Sequence, residues 1–292
     1  MAKASPRLPD ESVNLPRTHR LENARELLIT VVLLGVVVYA VVAYFVDVAV
    51  WALPPGADAK LGIAGLDDFS ATRVKDHPRQ KELQGIVDNL ARGWPDRPYT
   101  FRVAVLRDSA PNAFAVPGGN VAVTTALLED GGKTGGKTGG KTGSETGTET
   151  GSKTGGKRGA ATEMELAFVL GHELGHFNNR DHLRGLGRGV LLSLLMAAIG
   201  TGGSGGGLVG TATELGALRF NRGQEMAADE FGLGLVHAHY GHIKGTFAFF
   251  ERNIEDDAIG ERIPTFASTH PRSQERIDAL REYARRKGWG TP

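Results

Sequence analysis

Hydrophobic and polar positions change their spacing several times along this chain. Residues 27–46 form an uninterrupted apolar run that contains no charge. Residues 79–94 place apolar side chains three and four positions apart, which predicts an amphipathic helix. Residues 99–106 alternate between apolar and polar positions, which is typical of a strand.

A second group of elements surrounds a glycine turn and a long apolar helix. The segment NAFAVPGGNVAVTTALLE reads as a strand, a Pro-Gly-Gly turn, a second strand and the start of a helix. Residues 162–179 follow a helical period, and Thr162 with Glu165 forms the capping box that begins such a helix. These patterns predict an α+β fold that is mainly helical, with a small sheet at its edge.

The apolar run at residues 27–46 is long enough to cross a membrane. Its twenty residues, at about 1.5 Å each, span the roughly 30 Å hydrocarbon core of a bilayer. A buried helix of a soluble core usually keeps a polar stripe, and a cleaved signal peptide has a shorter apolar core. We therefore predict a retained transmembrane anchor rather than either alternative.

Charges around this run predict its direction in the membrane. Several basic residues precede it, whereas Lys60 is the only one between the run and Arg73. The positive-inside rule then places the N-terminus in the cytoplasm and the domain after the span on the extracytoplasmic side, in a periplasm or its equivalent. The basic residues before the span are Lys3, Arg7, Arg17, Arg20 and Arg25.

Composition divides the chain into a tail, an anchor and one domain. We expect residues 1–26 to be a disordered cytoplasmic tail, residues 27–46 the anchor, and residues 61–292 a globular domain. A repeat of glycine, lysine and threonine at residues 131–159 interrupts that domain, and we interpret it as a flexible surface insertion.

The repeat also matches a phosphate-binding loop. Its GGKT tetrads reproduce the pattern G-x-x-x-x-G-K-[ST] at residues 131–138 and again at residues 135–142. A true loop of this kind leads into a helix whose N-terminus holds the phosphates. Here the following residues, TGSETGTETGSKTGGKRG, contain no apolar side chain and cannot form that helix. We therefore expect no nucleotide ligand.

The overall composition excludes other classes of protein. The 34 basic and 33 acidic side chains leave a net charge of +1, so we expect no nucleic-acid partner. The chain has no cysteine, which excludes disulfides, thiolate metal sites and cysteine nucleophiles.

A second uncharged stretch covers residues 189–213. Its apolar part, residues 190–199, is too short to cross a bilayer, and glycines interrupt the remainder. We interpret the stretch as a hydrophobic hairpin that is either packed on the domain or dipped into the membrane. The packed arrangement needs no further assumption and is the one we expect.

The motif His172-Glu173-x-x-His176 points to metal chemistry. Residues four apart lie on one helix face, so both imidazoles can reach one metal ion. Zinc accepts neutral imidazole nitrogens, and Glu173 can take a proton from a water that the metal activates. The alternative is a pair of histidines on an exposed helix face, but the apolar residues around the motif predict a buried helix.

A catalytic zinc needs a third protein ligand. Glu225 and Asp229 are four apart on a predicted helix, so one can bind the metal while the other accepts the second N–H of a ligand histidine. A solvated acidic face is the alternative for this pair. Asp181 and His182 are competing third ligands nearer in sequence, and we favour them less.

Together these motifs resemble the gluzincin metallopeptidases of the CAAX prenyl protease and HtpX type, including Oma-like relatives. The resemblance covers residues 71–286 and rests on HELGH, on the E-x-x-x-D pair, on NAFAVPGG and on STHPRSQERI. It implies a gluzincin metalloprotease domain with one Zn²⁺ per chain. His172, His176 and Glu225 would be the metal ligands. Glu173 would be the general base, and Asp229 would support a ligand histidine.

The same resemblance implies a substrate site and a further catalytic residue. Asn112 and a strand formed by Phe114, Ala115 and Val116 would bind an extended substrate backbone. His270 would lie near the metal, where a donor can steady the oxyanion of the reaction. Arg276 would be a cation on the substrate side or a structural one.

We therefore predict a membrane-anchored zinc metalloendopeptidase that cuts extended or misfolded protein segments, in a quality-control role. Its partners would be polypeptide substrates and the membrane. The alternative is a non-catalytic or autoinhibited zinc-containing module that binds proteins as a chaperone does, with His270 as a fourth ligand closing the site.

Overall fold

The computed structural model describes the chain in six parts: residues 20–61, 69–129, 162–198, 220–251, 270 and 274–290. The predicted repeat insertion at 131–159, the first part of the predicted tail and the end of the second uncharged stretch lie outside the described residues.

Helices dominate the described parts. The long helix α1 (Arg20–Ala52) is followed by α2 (Ala57–Leu61), α3 (Gln80–Arg92) and, after the sheet, the single turn α4 (Thr125–Leu128). The remaining helices are α5 (Glu163–Asn179), α6 (Asp181–Ala198), α7 (Arg222–Tyr240) and α8 (Gln274–Lys287). The prediction of a mainly helical α+β fold is confirmed.

A small mixed sheet contains three strands, β1 (Arg102–Leu106), β2 (Ala113–Val116) and β3 (Asn120–Thr124), in the order β1-β3-β2. β1 and β3 run parallel, and β2 pairs antiparallel with β3 through the predicted Pro-Gly-Gly turn. The chain near Arg73 bridges to Leu106 and covers the outer edge of β1. β2 lies at the other edge and contacts α5.

The core lies between this sheet and the helices α3, α5, α7 and α8. α5 and α7 approach each other very closely. A Cβ added to Gly175 would come within 2.5 Å of the Ala228 carbonyl oxygen, and one added to Gly171 within 3.0 Å of the Gly232 carbonyl oxygen. Because glycine has no side chain, the two helices can touch along their backbones at these positions.

The ends of α5 follow from local hydrogen bonds. The Thr162 side chain accepts a hydrogen bond from the backbone N–H of Glu165, and Glu165 bonds back to Thr162, so the predicted capping box is confirmed. At the other end Arg180 adopts a left-handed conformation with φ of 57° and stops the helix. α6 begins directly after this residue.

The predicted anchor is part of the longer helix α1. Residues 20–26, which we assigned to the tail, are helical, and residues 24–52 are long and apolar enough to cross a membrane. Near its C-terminal end, α1 packs Val46 and Val50 against Leu183 of α6. The Arg180 guanidinium donates to the carbonyls of Val50 and Leu53, at 2.8 Å each, and so caps α1.

A buried polar cluster joins the segment after α1 to the rest of the domain. Asp58 on α2 is 1% exposed and accepts hydrogen bonds from the Tyr99 hydroxyl at 2.8 Å and the Gly118 N–H at 2.7 Å. The Nε2 atom of His182 lies 3.3 Å from the same carboxylate. The packed domain therefore extends upstream of residue 61, where we expected it to begin.

Candidate metal centre

Four buried side chains converge where α5 meets α7. His172 and His176 come from α5, Glu225 from α7, and His270 from the segment before α8. One ligand atom from each lies within 4.8 Å of all the others. The i, i+4 spacing places both α5 histidines on the face that α7 covers, so the close helix contact brings Glu225 to them.

The distances among these atoms are those of a tetrahedral site. The Nε2 atoms of His172 and His176 are 3.0 Å apart, and the Nδ1 atom of His270 is 3.1 Å and 3.4 Å from them. The carboxylate oxygens of Glu225 lie 3.0 to 3.6 Å from the three ring nitrogens. Four zinc ligands at tetrahedral positions are about 3.3 Å from one another.

Two carboxylates behind the cluster orient the α5 histidines. Asp229 lies 2.8 Å from Nδ1 of His172, and Asp181 lies 3.0 Å from Nδ1 of His176. In its neutral form each ring keeps its proton on Nδ1 and directs the Nε2 lone pair into the cluster. Two such nitrogens 3.0 Å apart need a proton or a metal ion between them, and the four converging ligand atoms suit a metal ion. The residues thus fit a metal ion.

A buried guanidinium completes the support. Arg276 of α8 is 9% exposed and pairs with Glu225 at 2.7 Å and with Asp229 at 2.8 Å. Of the two roles expected for Arg276, these contacts favour the structural one. The competing third ligands lie elsewhere: Asp181 binds the far side of His176, and His182 belongs to the Asp58 cluster.

Electrostatics differ between the two α5 histidines. Burial lowers the pKa of His172, and the opposing attraction of Asp229 and Glu225 does not overcome this effect. Burial also acts to lower the pKa of His176, but its contacts with Asp181 and Glu225 raise that pKa to about 10. Burial opposes ionisation of Glu225 too, yet its histidine neighbours hold its pKa well below the usual range.

Glu173 is fully buried beside the cluster. Neither of its carboxylate oxygens has a hydrogen-bond partner among the described residues, and Oε1 lies 3.7 Å from Nε2 of His270. Burial raises the pKa of Glu173 to about 7, although His172 and His176 act in the opposite direction. The backbone N–H of Ala115 favours the charged form without completing a hydrogen bond to it.

The strand β2 places its outer edge next to Glu173. The Thr124 N–H donates to the Asn112 carbonyl, and hydrogen-bonded pairs alternate along an antiparallel ladder. The backbones of Phe114 and Val116 therefore face β3, whereas those of Ala113 and Ala115 face the outer edge. The side chain of Asn112 is buried, and its Oδ1 has no partner in the described part of the chain.

Sequence reasoning missed two contacts of His176. Asp181 appeared only as a competing ligand, although an acidic residue one turn beyond a ligand histidine is well placed to reach its outer nitrogen. Phe220 stacks on the His176 ring, with centroids 4.1 Å apart, and no motif marked it.

A buried H-E-x-x-H helix packed against a second helix that supplies a carboxylate defines a metal-dependent hydrolase. The profile of peptidase family M48 matches residues 77–284. The chain belongs to this family and is a metallopeptidase, which confirms the resemblance drawn from the motifs. A search of curated proteins found no significant match.

Proposed function

We propose that this chain is a membrane-anchored zinc endopeptidase that cuts extended or misfolded polypeptide segments. The observation that carries the proposal is the pair of inward-facing histidine nitrogens, 3.0 Å apart, beside the buried carboxylate of Glu173. A structural metal site has no use for such a carboxylate, whereas hydrolysis requires a base next to the ligands.

In this proposal His172, His176 and Glu225 hold the ion. Bound zinc would supply a Lewis acid that lowers the pKa of water and polarises the scissile carbonyl. Glu173 accepts the proton of the attacking water and passes it to the leaving amine. His270, whose Nε2 faces Glu173, donates to the developing oxyanion once its Nδ1 has left the cluster.

The outer edge of β2 is the proposed substrate site. A substrate in extended form would add as a strand and pair with the backbone of Ala113 and Ala115. This pairing brings the scissile bond next to Glu173, because the Ala115 N–H already faces that carboxylate. Backbone pairing does not depend on the substrate sequence, so it suits unfolded segments of many proteins.

Hydrolysis by the full-length chain in detergent tests this proposal. The parent protein and Glu173→Gln are each loaded with zinc, their zinc content is measured, and both are incubated with an unstructured protein substrate. We expect cleavage by the parent only, with one zinc in each protein. A zinc-loaded Glu173→Gln protein that cuts as fast as its parent would contradict the assigned base.

One observation favours a closed, non-catalytic state as the second candidate. Nδ1 of His270 occupies the fourth corner of the cluster, 3.0 Å from Glu225 and 3.1 Å from His172. A zinc site with four protein ligands is structural, and one with three is catalytic. His270→Ala distinguishes the two roles. Faster cleavage would identify His270 as a cap, and slower cleavage would identify it as a catalytic donor.

We also propose that the N-terminus is cytoplasmic and the peptidase domain extracytoplasmic. Support comes from the basic residues that precede the apolar run and from the length of α1. Protease treatment of intact and permeabilised cells, followed by detection of the C-terminus, tests this orientation. If the C-terminus stays protected in cells whose outer barrier is permeabilised while the inner membrane is intact, this orientation is contradicted.

A further inference from the structure

Two helices change from charged to apolar at the same level of the structure. On α1 the uncharged run ends at Asp47, and on α6 the uncharged run begins after Arg188. Arg188 binds Asp47 at 2.9 Å, so these two boundaries lie side by side. Arg184 lies 3.4 Å from the same Asp47 carboxylate and marks the charged side of the boundary on α6.

The contacts between α1 and α6 define an antiparallel pair. Arg180 meets Leu53, Leu183 packs on Val50, and Gly187 faces Val46 so closely that a Cβ there would lie 2.9 Å from a Val46 methyl carbon. The steps of three and four residues along α6 thus match equal steps backwards along α1. Continued at this register, the backbone near residue 195 lies beside Val38 of α1.

The exposure of α1 supports this continuation. Val38 and Val42 are half-buried, and they fall on the face that continues through Val46 and Val50. Leu34 and Tyr39, in contrast, are 62% and 58% exposed. The covered stripe therefore extends about 12 Å below Val46, at 1.5 Å per residue. α6 packs against α1, and its Leu183 contacts this face at Val46 and Val50.

We propose that the apolar half of α6 enters the bilayer beside α1 and forms a half-span whose partner is the lipid. The proposal rests on the proposed membrane anchor, because α1 sets the direction and depth of α6. The ten residues after Arg188 are uncharged and helical, and they reach about 15 Å, or half of the hydrocarbon core. For residues 189–198 this proposal takes the membrane alternative, and not the packed arrangement that we expected for the stretch 189–213.

Aromatic exposure agrees with a membrane boundary near Asp47. Trp51 and Tyr44, on either side of it, are 82% and 65% exposed, and such rings are typical of the headgroup region. Asp181, which orients His176, lies seven residues above Arg188 on α6, or about 10 Å. The metal centre is therefore held close to the membrane surface.

The absence of cysteine from the chain makes this proposal easy to test. Single-cysteine variants at Ala197 on α6, Gly35 in α1 and the exposed Lys81 on α3 are labelled with an environment-sensitive fluorophore in full-length protein. Each is reconstituted into phosphatidylcholine vesicles, with or without lipids that carry a nitroxide quencher in the acyl chain. Zinc content and circular dichroism verify that all three variants are folded.

We expect the Ala197→Cys label to lose emission to the acyl-chain quencher as Gly35→Cys does, while Lys81→Cys keeps its emission. Quenching at Gly35 without quenching at Ala197 would overturn the half-span and leave the anchor intact. If neither the Gly35→Cys nor the Ala197→Cys label is quenched, both the anchor and the half-span are overturned. Neither result depends on peptidase activity, so the catalytic proposal is tested separately.

Discussion

The closest backbone contact between α5 and α7 predicts that a single methyl group can disrupt the metal centre. Gly175→Ala would place a Cβ 2.5 Å from the Ala228 carbonyl oxygen and 2.6 Å from the Ala228 Cα. Ordinary contacts of this kind are 3.4 Å or longer, so the helices must separate by about 1 Å. Glu225 lies one turn before Ala228 on α7 and moves with it.

This displacement affects metal binding and stability. Metal–ligand distances tolerate about 0.2 Å, so a 1 Å movement of Glu225 should reduce zinc affinity at least about tenfold. Overpacking costs about 1–3 kcal/mol, while alanine in a helix contributes about 1 kcal/mol over glycine. We expect Gly175→Ala to lower the free energy of unfolding by up to about 2 kcal/mol.

Gly85→Ala on α3 is the matched control, because a Cβ at Gly85 meets nothing within 4 Å. It should stabilise the protein by about 0.5–1 kcal/mol and leave zinc affinity unchanged. Gly171→Ala, with its 3.0 Å contact, should fall between the two. Denaturant unfolding and competition with a zinc-binding dye measure both quantities. If Gly175→Ala matched Gly85→Ala in both, the inferred helix contact would be refuted.

Two further predictions concern buried carboxylates. Burial acts to raise the pKa of Asp58, but His182, the Gly118 N–H and the Tyr99 hydroxyl lower it to about 2. Since the pKa of an unfolded aspartate is about 3.9, ionised Asp58 should contribute about 2 kcal/mol above pH 4 and lose this as the pH falls to 2. Unfolding curves of the parent and Asp58→Asn should therefore differ at pH 5 and converge near pH 2; an unchanging difference would contradict the assignment. Asp181→Ala should weaken zinc binding about 10–100-fold through His176, as measured by dye competition, and parental affinity would show that Asp181 does not orient the ring.

Sequence patterns predict those elements that are determined by contacts between residues a few positions apart. The capping box at Thr162 and Glu165 is a contact over three residues, and the i, i+4 spacing of His172 and His176 follows from the helix itself. The apolar positions around them predict a buried helix, and these side chains are buried. The geometry of these features is determined by residues that are close together in the sequence.

Contacts between distant segments were outside the reach of these patterns. Asp58 and His182 are 124 positions apart, and no periodicity links them. The hydrogen-bonding phase of β2 directs the backbone groups of Ala113, and not those of Phe114, towards the outer edge of the sheet. This phase depends on pairing with β3. The course of the second uncharged stretch was also ambiguous, because its composition suits both lipid and a protein core.

The Asp58 cluster determines where this protein can be shortened. A chain that begins at residue 61 lacks Asp58, and the Tyr99 hydroxyl and the Gly118 N–H then lose their acceptor inside the domain. Each such loss costs about 1–3 kcal/mol, a large part of the stability of an ordinary domain. A truncated peptidase for crystallisation should therefore start before Ala57, because a start at residue 61 would remove part of the fold.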